Sequence, residues 1–144
     1  MYISQSTDSS SLLPMAQLHV AEFPGTDVSH QIQVMMVRLD DYVHDQQLPQ
    51  PHLIKIDVQG YEDRVLHGDM QTVSKAKYRV LEMSLYPLYE VNPLFDDICC
   101  LMRDMGFRPV GLAGTLLGKS GRQLQVDGIF ENTRIDTDAL SNPD

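Results

Sequence analysis

An acid, Asp57, stands directly after the short apolar run Leu53, Ile54, Lys55 and Ile56. In an open α/β sheet, side chains at the carboxyl end of a strand face the ligand crevice, so a carboxylate there is a candidate for binding or deprotonating a hydroxyl. The competing reading is that Asp57 caps the next turn by accepting backbone N–H bonds. A second acid, Glu82, stands near the end of another apolar run, Tyr78 to Met83. Two carboxylates in one crevice repel each other, which raises the pKa of one of them. Glu82 also has Lys55 and Arg79 as alternative ion-pair partners. Gln59 and Tyr61, in the turn and helix start after Asp57, are the expected substrate contacts. A phosphoesterase reading would instead bring Asp57, Glu82 and Asp127 together as hard oxygen ligands for Mg²⁺.

The other chemistry-bearing residues are less organised. The five histidines are scattered without ligand spacing, and no CxxC or HxxxH pattern occurs. The two cysteines, Cys99 and Cys100, are neighbours in a helical stretch, where adjacent side chains point about 100° apart. They are expected to be small packed residues rather than a disulfide.

Around Asp57 the sequence predicts alternating strands and helices. Ile32, Val34 and Val37 suggest a strand over residues 31–37, followed by a short helix over residues 39–43. Pro49 and Pro51 mark a connection before a buried strand, Leu53–Ile56. Tyr61, Val65 and Leu66 fall on one helical face, with Gly68 at the position of a left-handed cap, and a further turn runs through Met70 and Val73. A strand over 78–83 follows. Asn92 and Pro93 read as an N-cap and first helical residue for an amphipathic helix through Met105, stopped by Gly106. Residues 107–112 and 124–130 are strand candidates separated by a loop with Gly114, Gly118 and Gly121, too short for a parallel crossover. Met1 to Ile3 reads as a short apolar start, followed by a polar, serine-rich loop from Ser4 to Ser11.

Bulk properties narrow the function. A net charge of −9 over 144 residues, without a basic stripe, argues against a nucleic-acid partner. No apolar stretch approaches the roughly 20 residues of a membrane span. The opening MYISQSTDSSSLLPM lacks a basic start and a signal-length apolar run, so the cytoplasm is the expected location.

The segments VRLDDYV, LIKIDVQGYEDRVLHG, YRVLEMS and GFRPVGL, with the opening SSSLLPM, resemble the FkbM-type methyltransferase family. The resemblance runs from about Tyr2 to Glu131. It implies transfer of a methyl group from S-adenosylmethionine to a hydroxyl of a small-molecule acceptor, with Asp57 on the acceptor side of the crevice. His19 precedes the first strand where the family builds part of its pocket, and is added on that ground as a catalytic candidate beside Asp57 and Glu82. The family often carries Glu at the position of Gln59.

No GxGxxG or looser relative occurs before Leu39, so no cofactor-binding residues are assigned. The expectation is therefore an α/β fold: a partial Rossmann-like methyltransferase sheet, mostly parallel with an antiparallel edge hairpin, lacking the N-terminal cofactor-binding strands. Residues 1–131 would form the C-terminal part of an FkbM-like domain, inactive in isolation, and residues 132–144 a polar, disordered tail. Strand Leu53–Ile56 would then present an open edge, covered by the 31–37 strand or by a second copy in a homodimer. The alternative to an enzyme is a non-catalytic interaction module that pairs through that edge.

Overall fold

A computed structural model describes residues 1–68 and 70–135. Its centre is a four-stranded sheet in the order β3 (Leu53–Ile56), β4 (Tyr78–Ser84), β6 (Gln123–Asn132) and β5 (Phe107–Leu117). A separate antiparallel pair, β1 (Tyr2–Ser4) and β2 (Val28–Gln31), lies near the amino terminus. The helices are α1 (Gln17–Glu22), α2 (Leu39–Asp45), α3 (Glu62–Gly68), α4 (Met70–Lys75) and α5 (Phe95–Asp104).

The period-two alternation of a strand separates the large sheet into two unlike faces. Ile56, Leu81, Met83, Val126 and Phe130 point to one side and are buried against Leu66 of α3 and Ile98 and Met102 of α5. Arg79 lies on this same side. It is fully buried, its guanidinium sits 3.7 Å over the Phe107 ring, and its Nε donates to the Val73 carbonyl at 3.1 Å. Its Nη2 has no hydrogen-bond partner among the described residues, and burial lowers its pKa. The parallel register Lys55↔Val80 and Ile56↔Leu81 brings the residue after β3, Asp57, beside Glu82, on the opposite side. In the antiparallel β4–β6 pair Glu82 stands directly across from Asp127.

Several expectations need correction. The sheet is not mostly parallel: β3–β4 is its one parallel pair, because β6 inserts antiparallel between β4 and β5. The strand expected over 31–37 is displaced to Val28–Gln31, where β1 offers backbone partners; residues 32–38 have no regular structure, and Met35 is 92% exposed. That segment consequently does not cover β3. β4 runs past Glu82 to Ser84, and neither Lys55 nor Arg79 forms an ion pair with Glu82 among the described residues. Gly114 is a strand residue, with φ +55° at an irregularity in β5 and its Cα facing the Asp127 carboxylate.

Helix boundaries shift for similar reasons. Asn92 does not cap α5; its Oδ1 accepts the Tyr89 N–H at 3.1 Å, while Asp97 accepts the Leu94 N–H at 2.9 Å. Gly68 is the last residue of α3 and is not left-handed. The expected turn at Met70 and Val73 is the helix α4, whose first N–H groups are capped from α2: Asp40 accepts from Gln71 at 3.1 Å and Thr72 at 2.7 Å. Such a cap from a distant segment leaves no local sequence signature. Asn132 ends β6 and is buried, donating to the carbonyls of Ser74 and Ala76; the tail expected from this position falls, beyond residue 135, outside the described residues.

Candidate functional site

The chain leaves β3 at Ile56 and turns sharply through Gln59 and Gly60, both with positive φ, +53° and +94°. Glycine is required at the second position twice over: the conformation suits it, and a Cβ there would lie 3.0 Å from that of Asn92 and 3.1 Å from the Tyr89 ring. Glu62 closes the turn by accepting the N–H groups of Val58 at 3.2 Å and Gly60 at 3.1 Å. Burial raises its pKa despite those bonds. This is the helix-start role expected of a carboxylate at that position.

The turn delivers Gln59 between the two acids. Its Nε2 donates to Asp57 Oδ1 at 2.9 Å and to Glu82 Oε2 at 2.8 Å. Its Oε1 accepts from the Tyr89 hydroxyl at 2.8 Å. Asp57 also takes Lys55 Nζ on Oδ2 at 2.9 Å, an exposed pair, and Glu82 takes a second amide, Gln125 Nε2, at 2.8 Å. Burial works to raise the Asp57 pKa, but the bonds from Lys55 and Gln59 and the lysine charge outweigh it, leaving the pKa below the usual carboxylate value. Glu82 goes the other way: burial, then repulsion from Asp57, Glu62 and Asp127, pushes it up to about 7. The pair thus divides into one ionised acid and one that holds a proton near neutrality, the asymmetry expected when two carboxylates share a site.

These groups form the floor of an open cleft of about 850 Å³, walled by the serine-rich loop around Ser9 and Ser11 and by Phe23 and His19. His19, on α1, is buried, with Nδ1 3.2 Å from the Thr26 hydroxyl and Nε2 3.3 Å from that of Tyr89. Burial lowers its pKa. It reaches the acids through Tyr89 and Gln59 rather than touching them. Tyr61 is not among the residues lining this cleft: it packs against the buried cluster of Leu13, Leu88, Tyr89 and Leu124, its ring under the Arg64 guanidinium at 4.7 Å. Asp127 stands across the ladder from Glu82, yet no group of three or more His, Cys, Asp or Glu among the described residues is placed to hold a metal ion, which removes the basis of the phosphoesterase reading.

Three contributors were not singled out from sequence. Gln125 could have been found by counting two residues along β6 from Asp127 once the β4–β6 register was known. Ser11 donates to the Gln59 carbonyl at 2.6 Å, and its sole advance signal is membership of a serine-rich loop. Tyr89 carries no signal, because it lies in the irregular connection after β4, joined to the amino-terminal segment by its bridge to Met15.

The glycine turn after β3 does not make a cradle for S-adenosylmethionine. Among the described residues β3 is the one strand that leads through a glycine turn into a helix, and there the Gly60 Cα is packed against Tyr89 and Asn92 while its N–H is taken by Glu62. No helix among the described residues is long and apolar enough to cross a membrane. A family model described as "Methyltransferase FkbM domain" matches residues 1–109. No curated protein and no solved structure matches the chain.

Proposed function

The chain belongs to the FkbM methyltransferase family, and from that membership we propose that its cleft is the acceptor side of a methyltransferase acting on a hydroxyl. The observation that carries this reading is the bridged pair Asp57–Gln59–Glu82 on the cleft floor. Asp57, kept ionised by Lys55 and Gln59, accepts a hydrogen bond from the acceptor O–H and orients the oxygen lone pair. Asp57 takes up that proton as the oxygen is alkylated, while Glu82, its pKa pushed up to about 7, shares the Gln59 amide and adds less negative charge beside it. The family in general draws its methyl group from S-adenosylmethionine. The described residues serve the acceptor and the glycine turn after β3 makes no cofactor cradle, so in this reading the isolated chain is inactive. Cys99 and Cys100 are free thiols, which suits a reducing, cytoplasmic setting.

The test is a titration of the full chain with three hydroxyl probes, namely a methyl glycoside, a macrolide alcohol and a long-chain diol. At least one should shift the side-chain resonances of Asp57, Gln59 and Glu82, and Asp57→Asn should weaken that binding about tenfold, the loss of one charge-assisted hydrogen bond. Calorimetry with S-adenosylmethionine should show no heat. Silence with every hydroxyl probe overturns the acceptor reading.

A second reading is favoured by the edge of β3. This strand pairs with β4 alone among the described residues, and Leu53 is 57% exposed beside an apolar groove formed with Val37, Leu39 and Tyr42. A second copy, paired antiparallel about a two-fold axis at Ile56, would set Lys55 opposite Asp57 of the first, so the edge is self-complementary in charge. In that role the chain is a homodimeric interaction module. Sedimentation should give a dimer that Lys55→Glu weakens; a strict monomer at high concentration defeats it.

A further inference from the structure

Gln59 is a hub with a direction. A side-chain amide has a donor end and an acceptor end, and one orientation alone satisfies this site. With Nε2 toward the acids, both carboxylates receive a hydrogen bond; reversed, a carbonyl oxygen would face two carboxylates and donate nothing. The two carboxylates disfavour the reversed amide, and the Tyr89 hydroxyl, donating to Oε1 at 2.8 Å from the far side, anchors the amide in the productive orientation.

We propose that Tyr89 is a positioning residue for the acid pair, its hydroxyl anchoring the Oε1 end of the Gln59 amide so that Nε2 stays between Asp57 and Glu82 and holds the two acids together on the cleft floor. Four observations carry this. Tyr89 is 1% exposed, its backbone N–H is held by Asn92 and its ring packs on that of His19 at 5.2 Å, so the hydroxyl has little freedom to leave. Burial and the nearby carboxylates keep its phenol pKa well above the ordinary value, so the O–H remains a donor across the working range.

The hydroxyl has one proton and three neighbours: Gln59 Oε1 at 2.8 Å, the Ser9 carbonyl at 3.1 Å and His19 Nε2 at 3.3 Å. Thr26 gives its hydroxyl proton to the Phe23 carbonyl at 2.7 Å, so the neutral imidazole donates to Thr26 from Nδ1 and Nε2 is an acceptor; of the three acceptors around the phenol, Gln59 Oε1 is the nearest and takes its proton. Finally, Ser11 fixes the Gln59 main chain through its carbonyl, so the remaining freedom of Gln59 lies in its side chain.

The catalytic consequence rests on the acceptor reading above, but the positioning itself is testable without any acceptor. The groups facing Glu82 are Asp57 and Lys55 at the end of β3, Glu62 of α3, Asp127 of β6 and Tyr89, with His19 of α1 behind it. Carbon-detected NMR titration of the Asp57 and Glu82 carboxyls is to be recorded for the full chain and for Tyr89→Phe and Gln59→Leu. Phenylalanine keeps the ring packing, so a purely structural Tyr89 leaves both midpoints in place. The positioning role moves them: Gln59→Leu removes a donor to each charged form and Tyr89→Phe loosens that donor, so the Glu82 midpoint should rise by roughly half to one unit in Gln59→Leu and by a smaller, resolvable amount in Tyr89→Phe.

Tyr89→Phe midpoints coinciding with wild type while Gln59→Leu shifts them overturn the proposal, as does a failure of both variants to shift. Should Tyr89→Phe not fold, the wild-type Gln59 NH₂ resonances decide. They should track the carboxyl titration beside a slowly exchanging Tyr89 hydroxyl proton; pH-independent NH₂ signals overturn the proposal. Shifted midpoints together with absent hydroxyl-probe binding would sink the function and leave the positioning standing.

Discussion

The two faces of the four-stranded sheet are made from the same strands and do opposite things. On one, Ile56, Leu81, Met83, Val126 and Phe130 are removed from water against α3 and α5. On the other, Lys55, Asp57, Glu82, Gln125 and Asp127 stand within a few ångströms of one another and open into a cleft. Alternate residues of β4 therefore hold the fold and carry the chemistry. The apolar face gains from burial; the polar face tolerates like charges because two amides and a lysine are placed among them. Each face also carries something foreign to it: Arg79 within the apolar face, and a carboxylate held near neutrality, Glu82, within the polar one.

The sharpest way to break this comparison is to exchange the effects of the two faces. Phe130→Ala, deep in the apolar side, should cost about 4 kcal/mol of unfolding free energy through lost burial and a residual cavity, measured by urea denaturation. A loss under about 1 kcal/mol would mean that the core lies elsewhere.

Glu82→Gln, on the other side of the neighbouring strand, should act through pH. Between 4.5 and about 7 the folded chain keeps a proton on Glu82 that the unfolded chain releases. Unfolding free energy therefore falls as pH rises through that window. The variant should lack this fall, gaining on the order of 1–2 kcal/mol relative to wild type at the upper end, with the partial exposure of Glu82 allowed for. Parallel pH profiles for the two proteins would show that Glu82 is not the protonated partner.

Arg79→Met gives the smallest expected effect. It replaces a buried guanidinium whose Nη2 has no hydrogen-bond partner among the described residues, so stability should rise by about 1 kcal/mol in the same denaturation experiment. A decrease would show that the Phe107 ring and the Val73 carbonyl outweigh the cost of burying the charge.

Legibility differed between the fold and the site for one physical reason. β3, β4, α5 and the β5–β6 hairpin carry periodic apolar residues, and periodicity is written locally. The strand over 31–37 misled because β-branched residues meet the strand pattern whether or not a partner exists; the partner, β1, took Val28–Gln31 instead. α1 was missed, its six residues too few to establish a period. Within the site, Asp57, Gln59 and Glu82 were singled out because they sit on or beside β3 and β4, whose apolar runs are legible. Tyr61 was included from its position in the same turn, yet it packs away from the cleft.

The order of residues by itself determined that Asp57 follows an apolar strand and that a turn and helix come next, since propensity and period-two patterning act over a few neighbours. It also carried the family signature. Only the tertiary structure decided that Gln59 stands between Asp57 and Glu82 and that Tyr89, thirty residues on, fixes its amide. Hydrogen-bond partners across strands are set by register and chain crossing, and those arise from packing the whole chain rather than from any segment of it.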